Sequence, residues 1–269
     1  MTETINLSGG QRRLTIDSDK ESAVSLNVEC AAGSDSELVI ELIGRQPLDI
    51  RLQGRLEADS RLVMLSINHC KGPLILKERH VLLSHAQANF AYAQFSDADL
   101  TIGNDYVLAE AGARLQATSA SLTASRKQLN FSCEHQAGQT EAHIDNYGVV
   151  LAHGHCEMIV KNTIAKGCHK AQTHQASRIL TYDKTAYGRI LPILYIDDDD
   201  VQASHAASLG QPDENQLYYM ESRGLSHQQA LSLITIGYLM PVTQAIADHD
   251  VNEMLRQEIE TKVYQQCSI

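Results

Sequence analysis

Four turn-like hexapeptides punctuate the first half of the chain: EADSRL at Glu57–Leu62, HAQANF at His85–Phe90, EAGARL at Glu110–Leu115 and HQAGQT at His135–Thr140. Their first residues, 57, 85, 110 and 135, differ by 28, 25 and 25. A repeat of this length marks a solenoid, in which each coil buries its inner face only against its neighbours. Between the turns the apolar residues alternate. LDIRLQ sets Leu48, Ile50 and Leu52 on one face, DLTIG does the same with Leu100 and Ile102, and ELVIELI and RLVMLSI are β-rich runs. Gly, Asn, Asp or Ser closes each run within a few residues. A parallel β-helix fits this pattern. An antiparallel β-sandwich with regularly spaced hairpins would give much the same string, so periodicity alone leaves both architectures open.

Three Phe and no Trp in 269 residues leave little material for a thick globular core, and the abundance of Ala and Ser points to a thin, layered interior. After Gly210 the pattern changes. QPDENQLYYMESRGL places Pro212 in a first helical turn, Asp213 and Glu214 at the positive end of the helix dipole, and Gly224 as a stop after Arg223. SHQQALSLITIGYLM opens with Ser226 and Gln229 at capping-box spacing and runs apolar nearly all round, as a buried helix does. Val251, Leu255, Ile259 and Val263 then form an i, i+4 stripe on a third, amphipathic helix. The expected division is a β region over 1–210 and a small helical domain over 211–269.

A formal charge of −11 argues against nucleic acid as a partner, since Arg12-Arg13 and Arg126-Lys127 are isolated pairs and no longer run of Lys and Arg occurs. The longest mostly apolar stretch, Ala230 to Val242, is too short for a bilayer span, and the polar start MTETINLSGGQRR has no signal-peptide core. The expectation is a soluble, cytoplasmic protein. Cys30, Cys70, Cys133, Cys156, Cys168 and Cys267 lie far apart with no C-x-x-C, and read mostly as buried thiols.

Asp197–Asp200 offers carboxylates to a hard cation but lacks the spacing and glycine of an EF-hand, so a solvated turn is the plainer reading. LAHGHCEM (Leu151–Met158) and KGCHKAQTH (Lys166–His174) bring His153, His155, Cys156, Cys168, His169 and His174 within a short span, a ligand set suited to iron or zinc if rungs stack. Strand alternation limits this. His155 and Cys156 point to opposite faces, as do Cys168 and His169. No nucleophile elbow, Walker A loop or dinucleotide fingerprint occurs. LSGGQ at residues 7–11 has the letters of an ABC ATPase signature, but without a Walker A it reads as a turn.

Asp199 to Leu239, DDVQASHAASLGQPDENQLYYMESRGLSHQQALSLITIGYL, resembles the C-terminal core of the SufB/SufD family, the scaffold proteins of SUF-type iron–sulfur cluster assembly. The resemblance rests on Ser204-His205 among small neighbours, Gly210, Asp213-Glu214-Gln216, Leu217-Tyr218-Tyr219, Arg223-Gly224, Gly237-Tyr238, and Pro192 ahead of the histidine. It is specific over about residues 150–245 and only compatible upstream.

The resemblance implies a right-handed parallel β-helix with a small C-terminal helical domain, and so favours the solenoid over the sandwich. It also implies a non-catalytic scaffold that pairs with a SufB-like subunit or with itself and docks a SufC-type ABC ATPase. A transient iron–sulfur cluster would form at the shared interface, with no cofactor held tightly by the isolated chain. His205 is the implied cluster-assembly residue; Leu217, Tyr218, Tyr219 and Arg223, supported by Tyr238, are the implied docking residues. Ala206 stands where SufB-like chains carry glutamate, Ala203 where some SufD-like chains carry cysteine, and Ser177 lies near the place of a SufB-type cysteine, which makes the chain SufD-like. The alternatives are a metal-binding or metal-sensing module using His205, Cys168 and nearby histidines, and a β-helix carbohydrate-active enzyme or acyltransferase, for which no signature is visible.

Overall fold

A computed structural model describes residues 2–182, 184–245 and 248–266. Strands pair in parallel throughout, in two sheets that alternate along the chain. One sheet comprises β1 (Thr2–Leu7), β3 (Ala23–Cys30), β5 (Leu48–Leu56), β7 (Leu74–Leu82), β9 (Leu100–Leu108), β11 (Arg126–His135), β13 (His155–Ile164) and β15 (Tyr187–Ile196). The other comprises β2 (Gly10–Asp17), β4 (Asp35–Ile43), β6 (Arg61–Asn68), β8 (Gln87–Gln94), β10 (Arg114–Thr123), β12 (Glu141–Val150), β14 (Gln172–Thr181) and β16 (Gln202–Gly210). Each coil contributes one strand to each sheet, so the architecture is the parallel β-solenoid, not the sandwich.

The turn leading from the odd sheet to the even one carries a left-handed residue just ahead of the even strand in six coils: Gly33, Asp59, His85, Gly112, Gln139 and Lys170, the last preceded by a second at Gly167. These positions lie 26, 26, 27, 27 and 31 residues apart, which is the true period of the solenoid. The hexapeptides mark the same turns, but the left-handed residue is third in EADSRL, first in HAQANF and fifth in HQAGQT, so their letters align only loosely. A left-handed conformation is costly for a residue with a Cβ. Bonding between coils offsets that cost: the amide of Asp59 donates to Ser84 O at 2.9 Å, that of His85 to Ala111 O at 3.0 Å and that of Gln139 to His169 O at 2.9 Å.

Alternation sends one set of side chains between the sheets. Leu, Ile and Val fill the first coils; Phe90, Tyr92, Tyr106 and Phe131 fill the middle ones. The interior turns polar toward the end, where Ser119 donates to Asn146 Oδ1 (2.6 Å), Asn146 to Ser177 Oγ (3.2 Å) and Asn162 to Thr173 Oγ1 (2.7 Å). The first coil carries charge at its inner face. Arg12 and Glu3 occupy inward positions in register with Leu38 and Leu26, and they pair across the two sheets at 2.9 Å.

Helix α1 (Glu214–Ser222) is capped by Asp213, whose carboxylate accepts from the Asn215 amide. Pro212 therefore lies one residue ahead of the cap, not in the first turn as expected. Gly224 ends α1 at φ 96°. Helix α2 (His227–Leu239) opens with the expected capping box between Ser226 and Gln229, and near Pro241 the chain tightens into a 3-10 turn, Met240–Ala245. The stripe of helix α3 (His249–Gln266), Val251, Leu255, Ile259 and Val263, is buried. It joins α2 in covering the outer face of the even sheet, against Val63, Leu65, Ala91, Phe95, Leu122 and Val149. Polar contacts tie α3 down at intervals: Asp248 to Gln11 and Arg13, Glu258 to His69, and Lys262 to Asp97. No helix of the described residues is long and apolar enough to cross a membrane.

Candidate functional site at the open end of the solenoid

The last coil differs from every other. Along β16 all nine residues are exposed, and along β15 none is fully buried. Register places Ile190, Pro192, Leu194 and Ile196 of β15 on the inner face, above Met158, Val160, Asn162 and Ile164. On β16 the inner positions are Ala203, His205, Ala207 and Leu209, above Thr173, Gln175, Ser177 and Ile179. Nothing in the described chain folds over them. The result is an apolar floor about one strand long, bordered by unpaired backbone and carrying one ionisable group, the His205 imidazole. Leu209 reaches across onto Gly188, where any Cβ would collide with its methyl group. Gln175, directly beneath His205, donates to Ile193 O at 3.1 Å and leaves its own oxygen without a hydrogen-bond partner.

The small neighbours of His205 separate by face. Ala203 and Ala207 share its inward side, while Ser204 and Ala206 point outward, where Ser204 Oγ meets His174 Nδ1 at 2.7 Å. Cys168 does not join His205. It is buried in the turn between β13 and β14, donates to His135 O at 3.3 Å, and packs with Ile164 and Ala171 beside Ile196 and Val201. Burial pushes its thiol up, with the Ala165 amide opposing. The remaining histidines disperse as alternation requires: His155 stacks on Tyr187, His174 lies tilted against His143, and His169 pairs with Asp198. Among the described residues, no group of three or more His, Cys, Asp or Glu side chains is placed to hold a metal ion. Cys267 lies outside the described residues.

Asp197–Asp200 forms the last turn. Asp198 accepts the Gly167 and Asp200 amides, which hold its carboxyl below the usual range. It is thus a staple between coils, with its side chain only 4% exposed, rather than the solvated turn of the plainer sequence reading.

The implied docking residues fall into two groups. On α1, only Leu217 is buried; Tyr218 and Tyr219 are 74% and 58% exposed. Arg223 lies over the Tyr219 ring at 5.4 Å and donates to its hydroxyl at 3.1 Å, which stiffens an aromatic and cationic surface. Tyr238 faces the other way. It packs edge-on against Tyr147 of β12 and bonds Ser208 of β16. Together with the Tyr182–Thr235 hydroxyl contact it fastens α2 to the last coils.

Sequence reading does not single out Ile190, Leu194 and Leu209 of this floor. For Ile190 and Leu194 the signal is present in YGRILPILYI, a strand apolar on both faces in a chain whose other strands mostly alternate; Leu209 has no comparable signal in QASHAASLG.

The model of the SufBD core domain of the SUF iron–sulfur cluster assembly system matches residues 2–238. The iron–sulfur cluster assembly protein SufD of Bacillus subtilis is 38% identical over 136 residues, which are 50% of this chain and 31% of that protein. SufD of Escherichia coli is 30% identical over 102 residues, 38% of this chain and 23% of the relative. A chloroplastic SufBD-family protein of Arabidopsis thaliana is 24% identical over 133 residues, 48% and 24% of the two chains. The matched segments therefore span less than a third of these relatives. The family match, by contrast, runs through nearly the whole solenoid and into α2, joining the strands that form the open coil to the helices fastened beside it: the chain belongs to the SufB/SufD family of iron–sulfur cluster assembly proteins.

Proposed function

We propose that this chain is a non-catalytic scaffold subunit that pairs through its open terminal coil with a SufB-like solenoid or a second copy of itself, and presents α1 to a SufC-type ABC ATPase. The observation that carries the reading is the asymmetry of the two ends. Both ends present unpaired strand edges, but the first coil sets the charged Arg12–Glu3 pair at inward positions, whereas the last leaves Ile190 and Leu194 part-exposed and Leu209 exposed on its inner face. Such an edge invites a further strand, and its apolar floor gains by burial at about 25 cal/mol per Å². Pairing there would enclose His205 between two chains, where one imidazole per subunit supplies a ligand to a nascent cluster, the cargo of the assembly.

Coupling to the ATPase follows from the fastening of α2. Force on the exposed face of α1 passes through α2 to Tyr238, Ser208 and Tyr147, that is, to the strands flanking the open coil. Closure of paired ATPases would thus be felt at the interface before anywhere else, a bistable contact biased by nucleotide.

The test is co-purification, under anaerobic conditions, with the ATPase and any SufB-like protein of the same source, with and without ATP. Leu209→Glu is expected to abolish pairing and spare ATPase capture; Arg223→Glu is expected to do the reverse, both with unchanged far-UV circular dichroism. Wild-type levels of both associations in both variants would remove the assignment.

A further inference from the structure

The sequence shows no run of Lys and Arg, yet the solenoid assembles one. Residues about 26 positions apart stack one rung apart, and on the outer face of the odd sheet Arg51 lies in register with Lys77, and Gln53 with Arg79. Three rungs beyond Arg79, past Asp105 and Ser132, stands Lys161. Among the described residues, no ion pair involves Lys77, Arg79 or Lys161, and Arg51 reaches Asp49 only at 3.9 Å. Asp105, in register with Arg79, accepts the Ser132 hydroxyl and offsets one charge of the face, which still carries Arg51, Lys77, Arg79 and Lys161 against it. In a chain of net charge −11, stacking Arg51 on Lys77 costs stability, because like charges directly opposite in a sheet repel.

Two further features make this a groove and not a stray charge. A shallow depression of about 560 Å³ runs along these rungs, with Gly103 and Asn130 in its floor and Ile159 and Ile193 at its far side. Gly103 has no local reason to be glycine. Its φ is not positive, and a Cβ there would meet only Lys77 Cγ, at 3.9 Å. A mid-strand glycine weakens a sheet, and where packing does not require it, it marks close approach by another molecule.

We infer that this groove binds an extended segment of a partner polypeptide that carries carboxylates beside apolar side chains. Charge complementarity selects the carboxylates, since Arg51, Lys77 and Arg79 line one half. Ile159 and Ile193 select apolar side chains for the other. The length selects a chain over a small molecule: Arg51 to Lys161 spans four rungs, roughly 19 Å at the strand spacing. The groove is also open along its whole side, unlike the enclosing pockets that small ligands favour.

The probe is a fluorescein-labelled (Glu-Leu)5 decapeptide, read by anisotropy and by zero-length carbodiimide cross-linking mapped with mass spectrometry. The expected result is saturable binding weakened by salt, with cross-links at Lys77 and Lys161 and none at Lys20 or Lys71. Lys77→Glu with Arg79→Glu should weaken binding at least tenfold. Gly103→Val should weaken it at least threefold without lowering the thermal midpoint, a pairing of effects that simple unfolding would not produce. Cross-links spread over all exposed lysines, or affinity unchanged in the double variant, would overturn the groove. Inorganic triphosphate or an oligogalacturonide binding more tightly than the peptide through the same lysines would overturn the polypeptide occupant.

Discussion

Gly54→Ala isolates the tightest side-chain fit inside the solenoid. A Cβ at Gly54 would sit inside van der Waals contact of His80 Nδ1, 2.9 Å from Cε1 and 3.1 Å from Cγ. The ring has nowhere to retreat. It packs against Phe90 and Tyr106 at centroid distances of 4.4 and 5.8 Å, and its Nε2 meets Glu78 Oε2 at 3.1 Å. Glu78 also accepts from Tyr92 at 2.5 Å, and Tyr92 bonds Tyr106 at 3.0 Å, so moving the ring disturbs a buried network. Overpacking costs about 1–3 kcal/mol, a weakened hydrogen bond to a charged group about 1.5–3, and replacing strand glycine returns about 0.5–1. The net expectation is a loss of roughly 2–4 kcal/mol. With an unfolding entropy of about 2.1 cal/mol/K per residue, 269 residues give about 0.56 kcal/mol/K, so the melting midpoint should fall by roughly 4–7 °C. Circular dichroism melts of wild type, Gly54→Ala, His80→Ala and the double variant form the assay. The alanine should be tolerated better once the ring is gone, with a coupling of at least about 1.5 kcal/mol. Equal or greater stability in the single variant would refute the packing argument.

Leu255→Ala in α3 removes a fully buried side chain from the layer between helices and sheet, and should cost about 2–5 kcal/mol; hydrogen exchange should show α3 losing protection before the coils, and simultaneous loss would contradict the separate layer. His69 is held above its ordinary pKa by its bond to Glu258, with burial opposing and Glu41 adding. Its contribution is therefore complete below the unfolded value near 6.5 and fades as pH rises through the folded value. Wild-type midpoints should fall between pH 6 and 9 relative to His69→Gln, and parallel curves would exclude the clasp. Burial pushes the thiols of Cys70 and Cys156 up to about 11 and about 12 and raises that of Cys133 further, while Cys30 and Cys168 are also buried. These five should resist iodoacetamide in the native state at pH 7.5 and react once unfolded; a labelled Cys168 peptide from folded protein would place that residue wrongly.

Period-two patterning carried the strands but fitted a sandwich as well as a solenoid, a choice that the family resemblance decided, and the helices were legible from the Ser226 capping box and the Val251–Val263 stripe. The exact period was not, because the left-handed turn residue can be Asp, His, Gln, Lys or Gly when an inter-coil hydrogen bond supports it, and so leaves no fixed letter. Folding of α2 and α3 onto the even sheet was likewise hidden: Val63, Leu65, Phe95 and Val149 read as strand residues whichever surface covers them. The position of His205 was legible through its neighbours, but its company was not. Separation of Cys168 from it depends on which side of a turn each lies, a three-dimensional matter that adjacency in sequence does not encode. The basic groove was invisible for the same reason, its members being spread from Arg51 to Lys161.

A stack of coils with both mouths open is the repeating unit of a filament, each copy extending the next without limit. In the first coil the Arg12–Glu3 pair sets two charges at inward positions, and stacking a further coil on them would strip both of water. If pairing runs through the last coil, as proposed above, the chain has one associating face, and its assemblies close at two subunits. Replacing Arg12 and Glu3 with leucines would then be expected to let copies stack end to end, an outcome that light scattering would read.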